Sequence, residues 1–433
     1  VAEYLPTEPY RGTRDFLPAD MSVRTQVFHR LYNVVESYGY QAYDTPILEP
    51  VEIYESKTSQ EIVDEQLYTL TDKGGRRLAL RPEMTPSVAR MLANNIGKVQ
   101  FPVRWYSHPN CHRYERPQKG RLREHWQLNV DLFGSASPAV EIEFIDLIHD
   151  MMAALGATGD MYTLRMSDRV LLNSMLSELV ELPDELLAPT ARLLDRWNKE
   201  STQKLATEAA EIGLSEKQFE RLGEVVRSGA EVLSELSPQA REASMLLRIL
   251  DTEAGDRIVF DPLIVRGFDY YTSTVFEVFD ADPQNRRSLF GGGRYDNLVG
   301  LFSAQEVAGF GFGMGDVTLM DFLRTHGLLP EPDTGSQVVV IPTEDALFDP
   351  GRQAAREIRR AGWSATLPLE TRKLGKEIGR ADKAGARAVV IVGREDWETG
   401  VVTVRDMGTG EQHRSGLDSL AETVRGVLAP TTP

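Results

Sequence analysis

Between residues 168 and 257 the chain changes texture. "RVLLNSMLSELVELPDELLAPTARLLDRWNKESTQKLATEAAEIGL" and the residues after it, up to 257, are rich in leucine, alanine and glutamate, with few β-branched pairs. Such text predicts helices. The text on either side is strand-like: "VRWYSHPNCHRYE" and "HWQLNVDLFG" lie before it, and "RIVFDPLIVRGFDYYTSTVFEVFD" lies after it. A helical block set inside strand text reads as an excursion from a sheet that resumes afterwards. The expectation is therefore a sheet domain carrying a helical insertion over 168–257.

The remaining segments fit around that sheet. "RGTRDFLPADMSVRTQVFHRLYNVVESYGY" reads as a loop and then an amphipathic helix, with Val23, Val27, Leu31, Val34 and Val35 at helical spacing and Gly39 ending it. "YQAYDTPILEP" reads as a short strand with Pro46 at an edge or turn. "QLYTLTDKGGRRLALRPE" reads as a hairpin, and "TPSVARMLANN" as a helix with Thr85 as cap and Pro86 in its first turn. Together these predict an α+β domain, an antiparallel sheet with helices on one side, over residues 1–325. The Pro/Gly/polar run "THGLLPEPDTGSQ" marks a linker at 326–336. Strand and helix text then alternate from "VVVIP" to "RAVVIVG", which predicts a small, mostly parallel α/β domain over 337–430.

Charge narrows the function. The chain has 65 acidic and 48 basic residues, a net charge of −17. That argues against a wholesale basic coat for nucleic acid. Yet "RYERPQKGRLREHWQ" places Arg113, Arg116, Lys119, Arg121 and Arg123 within eleven residues, between two strands, with Pro117 and Gly120 shaping the loop. A solvated charged face is the ordinary reading of a charge run. The density of arginines, which grip phosphate in bidentate fashion, favours a polyphosphate or nucleic-acid ligand instead. A glutamate such as Glu115 can accept from an exocyclic amine. The single cysteine, Cys111, excludes an intramolecular disulfide and cysteine-rich metal sites, and fits a cytoplasmic protein. No run of about 18 apolar residues predicts a membrane span.

Four further motifs are weak singly. Glu83 in "LRPEMTPSVAR" follows a proline at a strand-to-helix junction, where a carboxylate can simply serve the helix dipole. In "VRGFDYYTSTVFEVF" adjacent Tyr270 and Tyr271 point to opposite faces of a strand, so at most one lines a pocket with Arg266. "LFGGGRYD" can be only a turn. "GFGFGMGD" alternates glycine with apolar residues, as in a strand whose glycine face admits another backbone or a flat ligand.

In this order, "RGTRDFLP", "TPILEP", "LRPEMTPSVAR", "RYERPQKGRLREHWQ", "VRGFDYYTSTVFE" and "GGGRYDNL" resemble the successive signatures of the histidyl-tRNA synthetases, a class II aminoacyl-tRNA synthetase family. The resemblance covers nearly the whole chain, and the C-terminal α/β domain resembles the family's anticodon-binding module. It implies a six-stranded antiparallel catalytic sheet, a homodimer with an interface near "TPILEP", and ligation of L-histidine to tRNA(His) with ATP and Mg²⁺ through a histidyl-adenylate. It implies that Arg113 contacts the α-phosphate and Glu115 the adenine, with Arg121 and Arg123 facing the phosphates. Arg266 would be a second cation at the α-phosphate. Glu83, Thr85, Gln127 and Asp131 would hold the histidine, walled by Tyr270, Tyr271 and Tyr295. Arg116 and Gln118 would meet the acceptor end of the tRNA.

The chain departs from the family pattern twice. Asp131 stands where the family carries glutamate. The third class II motif usually ends in glutamate and arginine, the arginine gripping the far phosphate of ATP; here Gly315 and Asp316 hold those positions. Arg324 lies about two helical turns further on, ~12 Å along a helix. The expectation is that another cation, or Mg²⁺ held by Asp316, serves the pyrophosphate, or that ATP binds more weakly, or that the chain no longer charges tRNA. A histidine-sensing or regulatory paralogue, such as the regulatory subunit of ATP phosphoribosyltransferase, is the rival function. Such a paralogue typically lacks the anticodon-type domain that the C-terminal residues resemble.

Overall fold

The computed structural model describes residues 4–55, 66–265, 271–285, 287–333, 335–370 and 372–428. The chain divides into two compact units, Val1–Asp15 with Gln26–Leu329, and Phe16–Thr25 with Pro330–Pro433.

The first unit is organised by six strands: β1 (Val103–Ser107), β2 (Glu124–Phe133), β3 (Tyr162–Asp168), β4 (Thr274–Asp280), β5 (Ser288–Arg294) and β6 (Gly309–Gly315). They lie in the order β1-β2-β6-β5-β4-β3, with every neighbouring pair antiparallel. Gln41–Ala42 and Val259–Phe260 add a short parallel strand at either edge, and Asn110–His112 pairs with the start of β2. Period-two alternation sorts the two faces. Leu128, Val130 and Leu132 of β2 point into the main core with Phe310, Phe312 and Met314 of β6. Phe144, Ile148 and Met151 of helix Ala139–Ala154 cover them. His125, Gln127, Asn129 and Asp131 alternate with these apolar residues, so the opposite face of β2 is polar.

Helices cover both faces of the sheet, where the sequence suggested one. Helix Thr85–Asn95 packs Val88, Ala89 and Leu92 against Phe133, Val275 and Tyr295, on the face away from Phe144. Its N-cap is Met84 rather than Thr85, and Pro86 occupies its first turn. The Thr85 side chain is thereby free of capping duty. Leu48–Pro50, Arg77–Leu80 and Thr69–Thr71 form a separate three-stranded sheet.

The insertion is helical, as its composition predicts. Asp168, the last residue of β3, starts it by accepting hydrogen bonds from the Val170 and Leu171 amides at 2.7 and 3.1 Å. Helix Glu216–Ser228 opens on a capping box between Ser215 and Gln218. Leu193, Leu205, Leu222 and Val225 of the insertion join the main core.

A buried ion pair ties β5 to the covering helix. Arg294 donates from Nε and Nη2 to the two carboxylate oxygens of Glu141, each at 2.7 Å, and both side chains are excluded from solvent. The fork geometry satisfies both groups, as a buried pair requires.

In the second unit the sheet order is Ala365–Thr366, Val338–Pro342, Ala388–Val392, Val401–Asp406, Gln412–Gly416. The first two pairings are parallel and the last two antiparallel, so the sheet is mixed rather than mostly parallel. The terminal hairpin that makes it so has no βαβ crossover to demand parallel pairing. Helices Phe348–Arg360 and Leu420–Leu428 pack Ala354, Ile358 and Val424 onto its valines.

Candidate functional site

The polar face of β2 lies beside a strip of bare backbone. Gly311 of β6 sits opposite Asp131, Gly313 opposite Asn129, and Gly291 of β5 opposite Gly313. A Cβ on Gly311 would lie 2.4 Å from Asp131 Oδ1 and 2.6 Å from the Val130 carbonyl oxygen, and one on Gly313 2.4 Å from Gln127 Nε2. The alternating glycines thus make the floor of a pocket that any side chain would fill.

Two adjoining cavities meet over this floor. The first is walled by Glu83, Thr85, Gln127 and Asn129 on one side and by Tyr271 and Tyr295 on the other. The second, about 160 Å³, is bounded by Glu115, Arg121, His125, Gly315 and Thr318. Arg113 lines both. It is held there by its Nε, which donates to the Pro82 carbonyl at 2.9 Å, one residue before Glu83. One guanidinium therefore stands at the junction of a small aromatic-walled pocket and a cationic one.

The aromatic pocket has a polar back wall. The Tyr295 hydroxyl donates to Asp131 Oδ1, and the Tyr43 hydroxyl donates to Oδ2 at 3.4 Å. Asp131 is 2% exposed and lies behind Tyr295 instead of lining the cavity. Burial pushes its carboxyl up to about 7, against the two hydroxyls, which pull it down. Gln127 contributes a buried Oε1 with no hydrogen-bond partner, an acceptor awaiting a donor.

In the cationic cavity Glu115 and Arg121 approach to 3.3 Å. Burial, then the Arg113 charge, hold His125 down to about 3, so the imidazole is neutral there. Arg123 is occupied elsewhere. Its guanidinium stacks over Tyr114 and Tyr10, at 4.2 and 5.2 Å from the ring centres, and its Nε donates to the Glu115 carbonyl at 3.1 Å. It braces the loop and does not line the cavity. Arg116 and Gln118 are exposed on that loop, with Gln118 and Arg121 exchanging backbone hydrogen bonds of 3.0 and 2.9 Å around Gly120. Arg266 and Tyr270 lie outside the described residues.

At the third-motif positions, helix Asp316–Thr325 begins directly after Gly315. Asp316 is buried. Its Oδ2 accepts from Arg14 Nη2 at 2.8 Å and its Oδ1 from the Trp126 amide at 3.0 Å. Both oxygens are thus committed to the protein, which disfavours Mg²⁺ held by this carboxylate. Among the described residues no group of three or more His, Cys, Asp or Glu side chains is placed to hold a metal ion. Arg324 pairs with Asp321 at 2.9 Å.

Asn129, His125, Tyr43 and Arg14 were not singled out from the sequence. The alternation His-x-Gln-x-Asn-x-Asp along β2 was a usable signal for the first two. Nothing local points to Tyr43 or Arg14, which arrive from 88 and 302 residues away.

Comparison with known proteins agrees with this geometry. The histidyl-tRNA synthetase family model matches residues 12–317, and the anticodon binding domain model residues 337–426. The histidine–tRNA ligase of Leptospira biflexa is 39% identical over 431 residues, covering 98% of this chain and 99% of that protein. That of Pyrococcus horikoshii is 37% identical over 434 residues, covering 97% and 99%. The crystal structure of histidyl-tRNA synthetase from Nostoc sp. PCC 7120 superposes with a TM-score of 0.80 at 23% identity, covering 98% of this chain and all of that one. With a family model spanning the whole six-stranded sheet and relatives matched end to end, the chain belongs to the histidyl-tRNA synthetase family.

Proposed function

We propose that this protein activates L-histidine with ATP and transfers it to tRNA(His). The observation that carries this reading is Arg113, which lines both cavities at once. Histidine and ATP are both anionic at the reacting atoms. A cation shared by their two pockets is where an activation step needs one. The histidine carboxylate attacks the α-phosphorus in line, the new O–P bond forms, and pyrophosphate leaves with the electrons of the broken bond. Arg113 neutralises the charge that crowds around phosphorus, with Arg266 proposed as the second cation by family likeness.

The aromatic pocket suits histidine. The unpartnered Gln127 Oε1 and the Glu83 carboxylate can accept from its ammonium, with Thr85 beside them. The imidazole would lie on the glycine floor, walled by Tyr271 and Tyr295 and by Tyr270 from the likeness. Asp131 acts through the Tyr295 hydroxyl, fixing a hydrogen-bonding group against the ring nitrogens. Hydrogen-bonded selection of this kind discriminates far better than apolar shape. By family likeness Glu115 reads the adenine, and Arg121, 3.3 Å from it, serves the phosphates. Mg²⁺ enters with ATP as part of the substrate.

Arg116 and Gln118, exposed on the loop, suit contacts to the acceptor end of the tRNA, and residues 337–426 suit its anticodon. A homodimer is proposed from the family, with exposed Ile47 and Leu48 near the expected interface. No described helix is long and apolar enough to cross a membrane, and a cytoplasmic site of action is proposed from the activity. The regulatory rival is disfavoured, because the end-to-end relatives carry ligase names and the chain matches the anticodon module.

The test is histidine-dependent exchange of pyrophosphate into ATP. The wild-type chain should catalyse it, and Arg113→Ala should lower the rate on the order of 100-fold or more. Tight histidine binding without exchange by the wild type would favour the sensing role.

A further inference from the structure

The third-motif positions carry no cation, yet the far phosphates of ATP need one. Among the described arginines of the region, most are already engaged. Arg14 is paired with Asp316, Arg324 with Asp321, and Arg123 is held between two tyrosines. Arg287, one residue before β5, is different. It lines a cavity of about 270 Å³ together with Gln118, Lys119, Gly120, Thr318 and Asp321, the last paired with Arg324 at 2.9 Å. That cavity adjoins the one containing Arg113, Glu115 and Arg121, sharing Gly120 and Thr318 with it. A Cβ placed on Gly120 would lie 3.2 Å from Arg287 Cδ and 3.5 Å from Thr318 Cγ2, so the arginine stem and the first turn of helix Asp316–Thr325 close over the same loop glycine. Among the described residues no carboxylate lies within ion-pairing distance of Arg287.

We infer that Arg287 is the cation that binds the terminal phosphates of ATP, together with Arg121, in place of the arginine missing from the third motif. This rests on the reading of the site as a histidine-activating one. Arg121, paired with Glu115 at 3.3 Å, lines the adjoining cavity, so the two guanidinium groups serve neighbouring cavities joined at Gly120 and Thr318. The Arg121 charge disfavours the charged form of Arg287, after burial, and only Glu115 opposes it. Like charges lining two adjoining cavities suit a polyanion that spans both, since such a ligand relieves their repulsion. Stacking on a purine would need no second guanidinium. In the activation step the bond from the α-phosphorus to the bridging oxygen breaks, and pyrophosphate takes the electron pair. Arg287 and Arg121 neutralise the charge that accumulates on that leaving group.

The experiment compares nucleotide affinity by calorimetry for wild type, Arg287→Ala and Arg287→Lys, using ATP, AMP and adenosine with Mg²⁺ present. Arg287→Ala is expected to weaken ATP about 10- to 100-fold, the range for a lost charge-assisted contact, and to leave AMP and adenosine within about 2-fold. Arg287→Lys should recover part of the loss, because a point charge remains without the fork. Inhibition of exchange by added pyrophosphate should weaken in parallel. Unchanged ATP affinity, or an equal loss for adenosine, overturns the assignment. If the alanine variant does not fold, Arg287→Gln keeps the stem and answers the same question. Failure of the wild type to catalyse exchange would remove the proposed activity, whereas the ATP-against-adenosine comparison would still decide the role of Arg287.

Discussion

Asp131→Asn probes the buried wall of the aromatic pocket through its protons. The Asp131 carboxyl is pushed from its ordinary 3.8 to about 7 in the folded chain, chiefly by burial. Unfolded, it titrates near the ordinary value. Between those limits the native state carries one proton more than the unfolded state, so this group's stabilising contribution is complete at low pH and is lost as pH rises. The loss is about 1.4 kcal/mol per pH unit, or roughly 4 kcal/mol by pH 7 to 8. His125 acts in the opposite sense. Held down to about 3, it leaves the unfolded state with the extra proton between about pH 3 and 6.5, so its contribution grows as pH rises. The two slopes oppose each other through the acid range and obscure one another in the wild-type profile. The difference between wild type and Asp131→Asn removes His125 and isolates the carboxyl. Urea unfolding followed by far-UV circular dichroism from about pH 4.5 to 8 measures it. The asparagine variant should gain on the wild type by about 1.4 kcal/mol per unit up to pH 7 and level off above it. A constant offset across the whole range would refute a proton held at Asp131.

Gly311→Ala should abolish measurable histidine binding by calorimetry and lower stability by about 1–3 kcal/mol, because the new methyl meets the Val130 backbone carbonyl and the Asp131 carboxyl together. Retained histidine affinity would mean that the ring does not lie on this floor. Arg294→Ala should cost about 3–5 kcal/mol in urea unfolding by stranding the Glu141 carboxylate in the core. Replacing both partners with apolar residues of similar volume should cost less, and equal losses would show that packing, not charge, dominates.

Much of the site was legible because its determinants are local. The alternation of glycine with Phe310, Phe312 and Met314 announced a strand with one bare face, and that face is the pocket floor. Glu83 and Thr85 entered the site only through the family likeness, because a strand–proline–helix junction by itself reads as a helix start, although Met84 supplies the cap. The arginine cluster was read too generously. Its members looked equivalent in sequence, but the rings that capture Arg123 include Tyr10, 113 residues away, and no spacing rule reports such a contact. Asp131 was recognised as part of the pocket but not as lying behind Tyr295, since depth within a site depends on side chains from other strands. Arg287 escaped notice because it falls between the recognisable motifs, where a lone cation gives no pattern to read.

The pairing of Arg14 with Asp316 also sets the electrostatics at the mouth of the cationic cavity. The partners lie 302 residues apart, and the carboxylate sits between Gly315 and Val317, two of the residues that line that cavity. Left alone, the Asp316 charge would repel an incoming triphosphate. The segment from Tyr10 to Arg14, pinned by Arg123 at one end and Asp316 at the other, thus acts as a neutralising clasp beside the anion site.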